Sequence, residues 1–119
     1  MTTEISHNTG DALRDLAQST ADFYARFGVT PQIENCIQNF SEEVRELIDA
    51  ARDGQNLDHI AEEAADVVVT AIGVCFAAGV SVERLVEQVY AVIAKNDAKT
   101  HETHVYHEGK IRRRSSISS

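Results

Sequence analysis

The stretch that decides the fold begins Glu42-Glu43-Val44-Arg45-Glu46 and ends Glu62-Glu63-Ala64-Ala65-Asp66. Residues three apart lie on one face of an α-helix, about one turn from each other, so each segment can present two carboxylates on the same side. Two such helices packed together would bring Glu43, Glu46, Glu63 and Asp66 into one small volume. Carboxylates that close repel one another and raise their own pKa values unless a cation neutralises them. The sequence therefore predicts a metal site between two helices.

Apolar residues around the first acidic pair follow a helical period. They are Ile33, Ile37, Phe40, Val44, Leu47 and Ala51, at alternating steps of four and three. This pattern predicts one amphipathic helix that begins at Thr30-Pro31 and ends near Gly54. Glu43 and Glu46 each precede one of these apolar residues, so they border the buried face, where ligands of a metal site in a helical bundle lie.

Three further helices are predicted. The first runs from Asp11 to Phe27 and is closed by Gly28, and the third runs from His59 to about Ala78 with Asp58 as its cap. Ser81 caps the fourth, which reaches roughly Lys99. The pattern predicts an all-α subunit that resembles a four-helix bundle, and the strongly apolar second half of the third helix favours assembly into a dimer or tetramer.

The last twenty residues lose the helical period. Val105-Tyr106 and Lys110-Ile111 flank His107-Glu108-Gly109, which is typical of either a small hairpin or a loop. We expect residues 1–9 and 113–119 to be disordered and residues 1–119 to form a single domain.

Composition excludes several classes of function. The chain has 119 residues and a formal net charge of −8, which disfavours binding to nucleic acid or to an anionic membrane. Cys36 and Cys75 are isolated within apolar runs and are interpreted as small core residues. Met1 to Gly10 lack an apolar signal segment, and Val67 to Val80 is shorter than the about 20 residues that cross a bilayer, so we expect a cytoplasmic protein.

A cationic group follows the second acidic pair. Lys95 and Lys99 are four residues apart, on one face of the fourth helix, and Asn96 lies between them. The two amines could simply solubilise the helix end, where positive charge suits the helix dipole. They could instead contact the phosphates of a substrate held by the metal.

Two other patterns offer weaker signals. His101, His104 and His107 could bind a transition metal if they lay on a helix, but the helical period has ended there. Arg112 to Arg114, followed by serines, could touch nucleic acid, remain solvated, or fold over a nucleotide at a neighbouring subunit's site.

The two acidic segments resemble the EExxE…ExxD signature of the MazG-like, all-α nucleoside triphosphate pyrophosphohydrolase superfamily, which includes dimeric dUTPases and phosphoribosyl-ATP pyrophosphohydrolases. Asp22 to Val29 is similar to the lead-in of small single-domain members. The segment from Lys95-Asn96 and Lys99 to Glu108-Gly109-Lys110-Ile111 is similar to the region after their last long helix. The resemblance covers roughly residues 20 to 112.

The resemblance implies a homodimer or homotetramer that hydrolyses a (d)NTP to (d)NMP and pyrophosphate, a house-cleaning activity toward non-canonical or pyrimidine nucleotides. It implies a magnesium site lined by Glu43, Glu46, Glu63 and Asp66, with Glu42 as an extra ligand or as the group that orients a water. Carboxylates suit Mg²⁺, a hard cation, and Mn²⁺ is the alternative. Lys95, Asn96 and Lys99 would bind the substrate.

Two other functions stay open at this point. The chain could be a non-enzymatic helical interaction module, in which the acids form a solvated or partner-binding face. It could also hydrolyse a phosphoribosyl nucleotide on the same fold. The sequence does not specify the base.

Overall fold

Four helices make up most of the protein. The computed structural model describes residues 9–117, and its helices are α1 (Ala12–Arg26), α2 (Ile33–Asp53), α3 (Leu57–Ala77) and α4 (Val82–Asp97). Two short strands follow, β1 (His104–His107) and β2 (Lys110–Arg113), and then a 3-10 turn at Arg114–Ser116. The all-α prediction is confirmed, whereas the dimer or tetramer stays a prediction.

The chain divides into two compact units at the boundary between residues 86 and 87, within α4. In the N-terminal unit, residues 9–86, α3 packs against both α1 and α2. Arg14 of α1 and Glu83 at the start of α4 form an ion pair in this unit. The C-terminal unit, residues 87–117, holds the rest of α4 and the strands. Both acidic pairs therefore belong to the N-terminal unit.

Side-chain caps fix where several helices begin. Asp11 accepts a hydrogen bond from the Arg14 amide at 3.1 Å, and Ser81 Oγ accepts one from the Arg84 amide at 3.1 Å, as their sequence positions predict. The prediction that Asp58 caps α3 is wrong. Asn56 Oδ1 accepts from the His59 amide at 3.0 Å, so the helix begins two residues earlier and Asp58 lies in its first turn.

The predicted start of α2 at Thr30-Pro31 is also wrong. The Val29 amide donates to the Tyr24 carbonyl at 2.9 Å, which draws the chain back toward α1 before α2 can begin. The backbone stays extended through Gln32 (φ −108°, ψ 133°), and helical geometry begins at Ile33. The end of α2 agrees with the prediction.

Gly54 provides the tight connection from α2 to α3. Its φ of 67° is left-handed, a conformation that costs glycine little, and its amide donates to the Ala50 carbonyl at 3.0 Å. Only residues 54–56 separate α2 from α3. A connection this short makes consecutive helices neighbours, which brings the two acidic pairs together.

The core of the described chain is built from small and medium residues. The apolar residues that are less than a tenth exposed are Ala17, Cys36, Ala50, Ile72 and Val86. The predicted buried stripe of α2 is wrong at both ends: Ile33 and Ile37 are 40% and 42% exposed, and Ala51 is exposed whereas Ala50 is buried. At the start of the helix Cys36 is buried instead, with its Sγ 3.9 Å from the Tyr24 hydroxyl of α1. Contact with α1 thus rotates the buried face away from the two isoleucines. Cys75 is half-buried, and both thiols are free.

The C-terminal segment forms the hairpin that was one of the two sequence alternatives. Strands β1 and β2 pair antiparallel, with Tyr106 opposite Ile111 and His107 opposite Lys110. Glu108 and Gly109 connect them with φ values of 51° and 81°, as a two-residue type I′ turn requires.

Part of the expected disorder falls outside the described residues, which exclude 1–8 and 118–119. Within the described range, Arg113 ends β2 and residues 114–116 form the 3-10 turn. None of the described helices combines the length and the apolar character needed to cross a membrane.

Candidate active site

Three of the predicted acidic residues converge between α2 and α3. Carboxylate oxygens of Glu43, Glu63 and Asp66 lie within 4.8 Å of one another. Glu46, one turn further along α2, raises the pKa values of both Glu43 and Glu63 through its negative charge and through a proton that neighbouring carboxyl groups can share. The charge states of these carboxyl groups are therefore linked.

Burial differs sharply within this acidic group. Glu63 is 8% exposed and Glu43 is half-buried, whereas Glu46 and Asp66 are exposed. Oε2 of Glu43 and Oε2 of Glu63 are buried, and neither has a hydrogen-bond partner among the described residues. Buried carboxylate oxygens are costly unless a donor or a cation satisfies them. The oxygen-only donor set and these two unsatisfied atoms fit a hard divalent cation.

The electrostatics of the group agree with its geometry. The hydrogen bond with Glu46, followed by desolvation and the charges of Glu46, Asp66 and Glu63, raises the pKa of Glu43 to about 7. Desolvation is the largest cause that raises the pKa of Glu63, and His59 acts in the opposite direction. Binding of a positive charge, either a proton or a metal ion, would therefore stabilise these carboxyl groups.

An imidazole lies at the edge of the same group. His59 Nδ1 is 3.7 Å from Glu62 Oε1 and 3.8 Å from Glu63 Oε1. A cavity of about 470 Å³ lies beside it, lined by Glu46, Asp49, Ala50, Asp53, His59 and Glu63. Sequence reasoning missed His59, Asp49 and Asp53 as members of the site. The signal was present, since His59 precedes Glu63 by four residues and Asp49 follows Glu46 by three.

Glu42 lies apart from the three converging carboxylates. Its side chain is exposed, and its Oε1 accepts a hydrogen bond from Gln38 Nε2 at 3.4 Å, one turn earlier on α2. Of the candidate residues on α2, Glu43 supplies the oxygen of the close group. Consecutive helix residues point about 100° apart, which explains why the two neighbouring glutamates differ.

A family comparison bears on what these residues do. The model of the phosphoribosyl-ATP pyrophosphohydrolase family matches residues 11–92, which is more than half of the chain and includes both acidic pairs. The chain belongs to the phosphoribosyl-ATP pyrophosphohydrolase family. No curated protein and no solved structure matches it significantly. This family is part of the MazG-like all-α superfamily, so the resemblance seen in the acidic signature is confirmed.

Membership of this family settles the class of reaction. The protein is a nucleotide pyrophosphohydrolase, a hydrolase that acts on phosphoanhydride bonds, and the alternative of a non-enzymatic module is wrong. The family is typically metal-dependent, and the group formed by Glu43, Glu63 and Asp66 could hold a metal ion. The matched region ends before Lys95.

The cationic residues beyond the matched region lie in the C-terminal unit. Lys99 Nζ donates to Asn96 Oδ1 at 3.0 Å, and both residues line a cavity of about 490 Å³. Lys95 is exposed. Within this unit, desolvation, then the charges of Lys99 and Arg113, lower the pKa of His104. The structure therefore brings Asn96 and Lys99 together in a positively charged part of the unit.

The three histidines His101, His104 and His107 do not share a helix. His101 lies in a turn, whereas His104 and His107 begin and end β1. The helical geometry on which their metal-binding hypothesis depended is absent. Arg112 Nε donates to the His107 carbonyl at 3.0 Å, and Arg114 Nε donates to the His101 carbonyl, so both arginines hold the hairpin segment.

Proposed function

We propose that this pyrophosphohydrolase is Mg²⁺-dependent and hydrolyses a nucleoside triphosphate to the monophosphate and pyrophosphate. The observation that carries the proposal is the pair of buried oxygens, Glu43 Oε2 and Glu63 Oε2, that lack a partner among the described residues. They belong to a group of carboxylates of which Asp66 is also a member. Mg²⁺ binds to a few carboxylates and to substrate phosphates together, which matches this partly exposed group.

Glu43, Glu46, Glu63 and Asp66 are the proposed cation ligands. When bound, a divalent cation neutralises the polyphosphate, aligns it and lowers the pKa of an attacking water. The half-buried Glu43 and the buried Glu63 would fix the position of the cation, because packed side chains have few alternative rotamers. The exposed Glu46 and Asp66 would face the side from which the phosphates arrive.

Glu42 is proposed to act on water. It is exposed and precedes a proposed ligand by one residue, and its hydrogen bond with Gln38 leaves one carboxylate oxygen available to orient a water or accept its proton. For Lys95, Asn96 and Lys99, the proposal is phosphate binding in the substrate complex. It is supported by the two amines and by the hydrogen bond that orders the Lys99 side chain.

The family match favours a second substrate, phosphoribosyl-ATP, because that substrate gives the matched family its description. Both candidates contain the same α,β-phosphoanhydride and release pyrophosphate, so the carboxylate group would serve either one. They differ in the organic part of the molecule. Identification of the nucleotide product therefore separates them.

Self-association is the last part of the proposal. Large apolar side chains at the C-terminal end of α1 and in α2 stay exposed, among them Phe23 at 51%, Phe27 at 66%, Ile33 at 40% and Ile37 at 42%. Apolar surface of this kind is typical of interfaces between subunits. We expect a homodimer or a homotetramer.

The proposal is tested by assaying pyrophosphate release from canonical and modified (d)NTPs and from phosphoribosyl-ATP, with Mg²⁺, with Mn²⁺ and with a chelator. We expect release from at least one substrate only when a divalent cation is present. Glu43→Gln and Asp66→Asn should each lower kcat/KM by about 100-fold or more, since even residues that only support metal ligands contribute 10- to 100-fold.

A matched control is Glu34→Gln, which changes an exposed glutamate in the first turn of the same helix, α2. It should retain kcat/KM within about twofold, because it removes the same charge away from the proposed site. Full activity in chelator, or undiminished activity of Glu43→Gln, would reject the proposed cation site.

A further inference from the structure

We propose that His59 and Glu63 form a second cation site beside the first, and that its nitrogen ligand makes this site selective for transition-metal ions such as Co²⁺ or Zn²⁺ over Mg²⁺. The inference rests on the proposed function only in that Glu63 is shared with the first site. It does not depend on which nucleotide is hydrolysed.

The ligand atoms are already close to metal-binding geometry. His59 Nδ1 lies 3.7 Å from Glu62 Oε1 and 3.8 Å from Glu63 Oε1. Ligand atoms about 2.1 Å from a tetrahedral ion are about 3.4 Å from one another. Each imidazole-to-carboxylate distance would therefore need to shorten by only a few tenths of an ångström for an ion to bind.

Glu63 presents a nearly buried carboxylate to both sites, with Oε1 toward His59. It is only 8% exposed, and its Oε2 is buried with no hydrogen-bond partner in the described part of the chain. Glu63 is also the residue that the two candidate groups, with His59 and Glu62 and with Glu43 and Asp66, have in common. A carboxylate has two oxygens and four lone-pair directions, so one buried carboxylate can bridge two neighbouring ions.

The cavity beside His59 is lined mainly by carboxylates. Four of its six lining residues, Glu46, Asp49, Asp53 and Glu63, carry carboxylates, and the fifth polar residue is His59 itself. Asp49 and Asp53 come from α2, on the wall opposite His59. A cation that bound at His59 would thus be met by carboxylates from both helices.

The backbone holds His59 where this geometry needs it. Its amide donates to Asn56 Oδ1 at 3.0 Å, which places His59 in the first turn of α3, four residues before Glu63. Residues four apart lie one above the other on a helix. The imidazole therefore starts from the same face of α3 as the Glu63 carboxylate.

Nitrogen ligation predicts a distinct selectivity. Imidazole is a good ligand for Zn²⁺, Co²⁺ and other transition-metal ions, whereas Mg²⁺ prefers an all-oxygen environment. Loss of the imidazole should therefore weaken Co²⁺ binding and leave Mg²⁺ binding nearly unchanged.

The experiment titrates the full-length, nucleotide-free protein with CoCl₂ and, separately, with MgCl₂, by calorimetry and by the visible absorption of Co²⁺. We expect His59→Gln to weaken the Co²⁺ affinity by about tenfold or more and to change the Co²⁺ absorption bands. Its Mg²⁺ affinity should stay within about twofold of the unmodified protein. The melting temperature in chelator verifies that the variant is folded.

His107→Gln is a closely matched control. His107 Nε2 lies 3.8 Å from Glu108 Oε1, and its side chain is 44% exposed against 50% for His59. It therefore reproduces a half-exposed histidine–glutamate pair that lacks the additional carboxylates of the cavity, and its Co²⁺ binding should equal that of the unmodified protein. If His59→Gln should not fold, Asp49→Asn on the opposite wall provides the second variant and should also weaken Co²⁺ binding.

The outcomes separate this inference from the proposed function. Unchanged Co²⁺ affinity and spectrum in His59→Gln, equal weakening of Co²⁺ and Mg²⁺, or no Co²⁺ binding by the unmodified protein would each overturn it and leave His59 as a simple ion-pair partner. The proposed function instead fails if Glu43→Gln retains Mg²⁺-dependent pyrophosphate release, whatever His59 binds.

Discussion

Glu43 carries a carboxyl group whose pKa is raised from 4.5 to about 7, chiefly by its hydrogen bond with Glu46. Between these two pH values the folded chain keeps a proton that the unfolded chain has lost. Stability falls with pH wherever the folded state binds more protons. In chelator, the stabilisation that this proton provides should be complete below about pH 4.5 and lost as the pH rises through about 7.

Glu43→Gln tests this linkage, because glutamine cannot ionise. The melting temperature of the variant, measured in chelator relative to the unmodified protein, should rise between about pH 5 and about pH 8. Glu34→Gln is the control, and its relative melting temperature should show no such rise. A constant difference between Glu43→Gln and the unmodified protein across this range would contradict the raised pKa.

Cation binding should reverse the same pH dependence. A metal ion competes with the proton for the carboxylates, so it binds more tightly as Glu43 ionises. The rise in melting temperature that saturating Mg²⁺ produces should therefore be small at about pH 5 and larger at about pH 8. Thermal unfolding at both pH values, with and without Mg²⁺, measures it. A larger effect at the lower pH would contradict competition between metal and proton.

At the scale of elements, α3 is held close to α1 at Gly73. A Cβ added to Gly73 would lie 2.8 Å from the Tyr24 hydroxyl of α1 and 3.9 Å from Cys36 Sγ of α2. Desolvation is the largest cause that raises the pKa of Tyr24, in agreement with a hydroxyl packed against this surface. The missing side chain of Gly73 is therefore what lets these three helices meet.

Gly73→Ala should reveal this close approach through its coupling with Tyr24. Alanine improves helix propensity by about 1 kcal/mol, whereas overpacking costs about 1–3 kcal/mol, so the single substitution should destabilise or be neutral. In a Tyr24→Phe background the obstructing hydroxyl is gone, and the same substitution should be more favourable by about 1 kcal/mol. Urea unfolding of all four proteins in the double-mutant cycle measures this coupling. Strictly additive free energies of unfolding would contradict it.

The helical spacing of the acidic residues predicted a convergence that Glu43, Glu63 and Asp66 show, because the short connection after Gly54 leaves two consecutive helices few ways to pack. The helical spacing of the apolar residues could not by itself show that Ile33 and Ile37 stay exposed, because their exposure depends on the contact between Cys36 and Tyr24.

The start of α2 and the position of His59 beside the acidic group were only partly indicated by the sequence. Gly28 indicates the end of α1, and the hydrogen bond from the Val29 amide to the Tyr24 carbonyl, which commonly accompanies such a glycine, keeps Thr30 and Pro31 outside α2. His59 becomes notable only beside the carboxylates that α2 places across the cavity. The cavity depends on how α2 and α3 pack, which local propensity does not determine.

At the scale of the whole molecule, the apolar core of the described chain is thin. Ile72 and Val86 are the largest apolar residues that are less than a tenth exposed, while Phe23, Phe27 and Tyr90 are each more than half exposed. Phe23 and Phe27 contact each other, with ring centroids 5.0 Å apart, and so form a continuous apolar surface. Burial of such a surface by a second copy of the chain would contribute about 25 cal/mol for each Å² removed from water.

If association supplies part of the stability, the melting temperature must depend on protein concentration. It should rise between about 2 µM and about 200 µM, because mass action favours the folded oligomer. Ile33→Ser combined with Ile37→Ser should weaken the dependence and shift sedimentation toward the monomer, since both residues are exposed on one face of α2. Leu57→Ser, at the first residue of α3, removes an apolar side chain that is 78% exposed and should change neither. A monomeric mass and a constant melting temperature over this range would mean that the small core suffices alone.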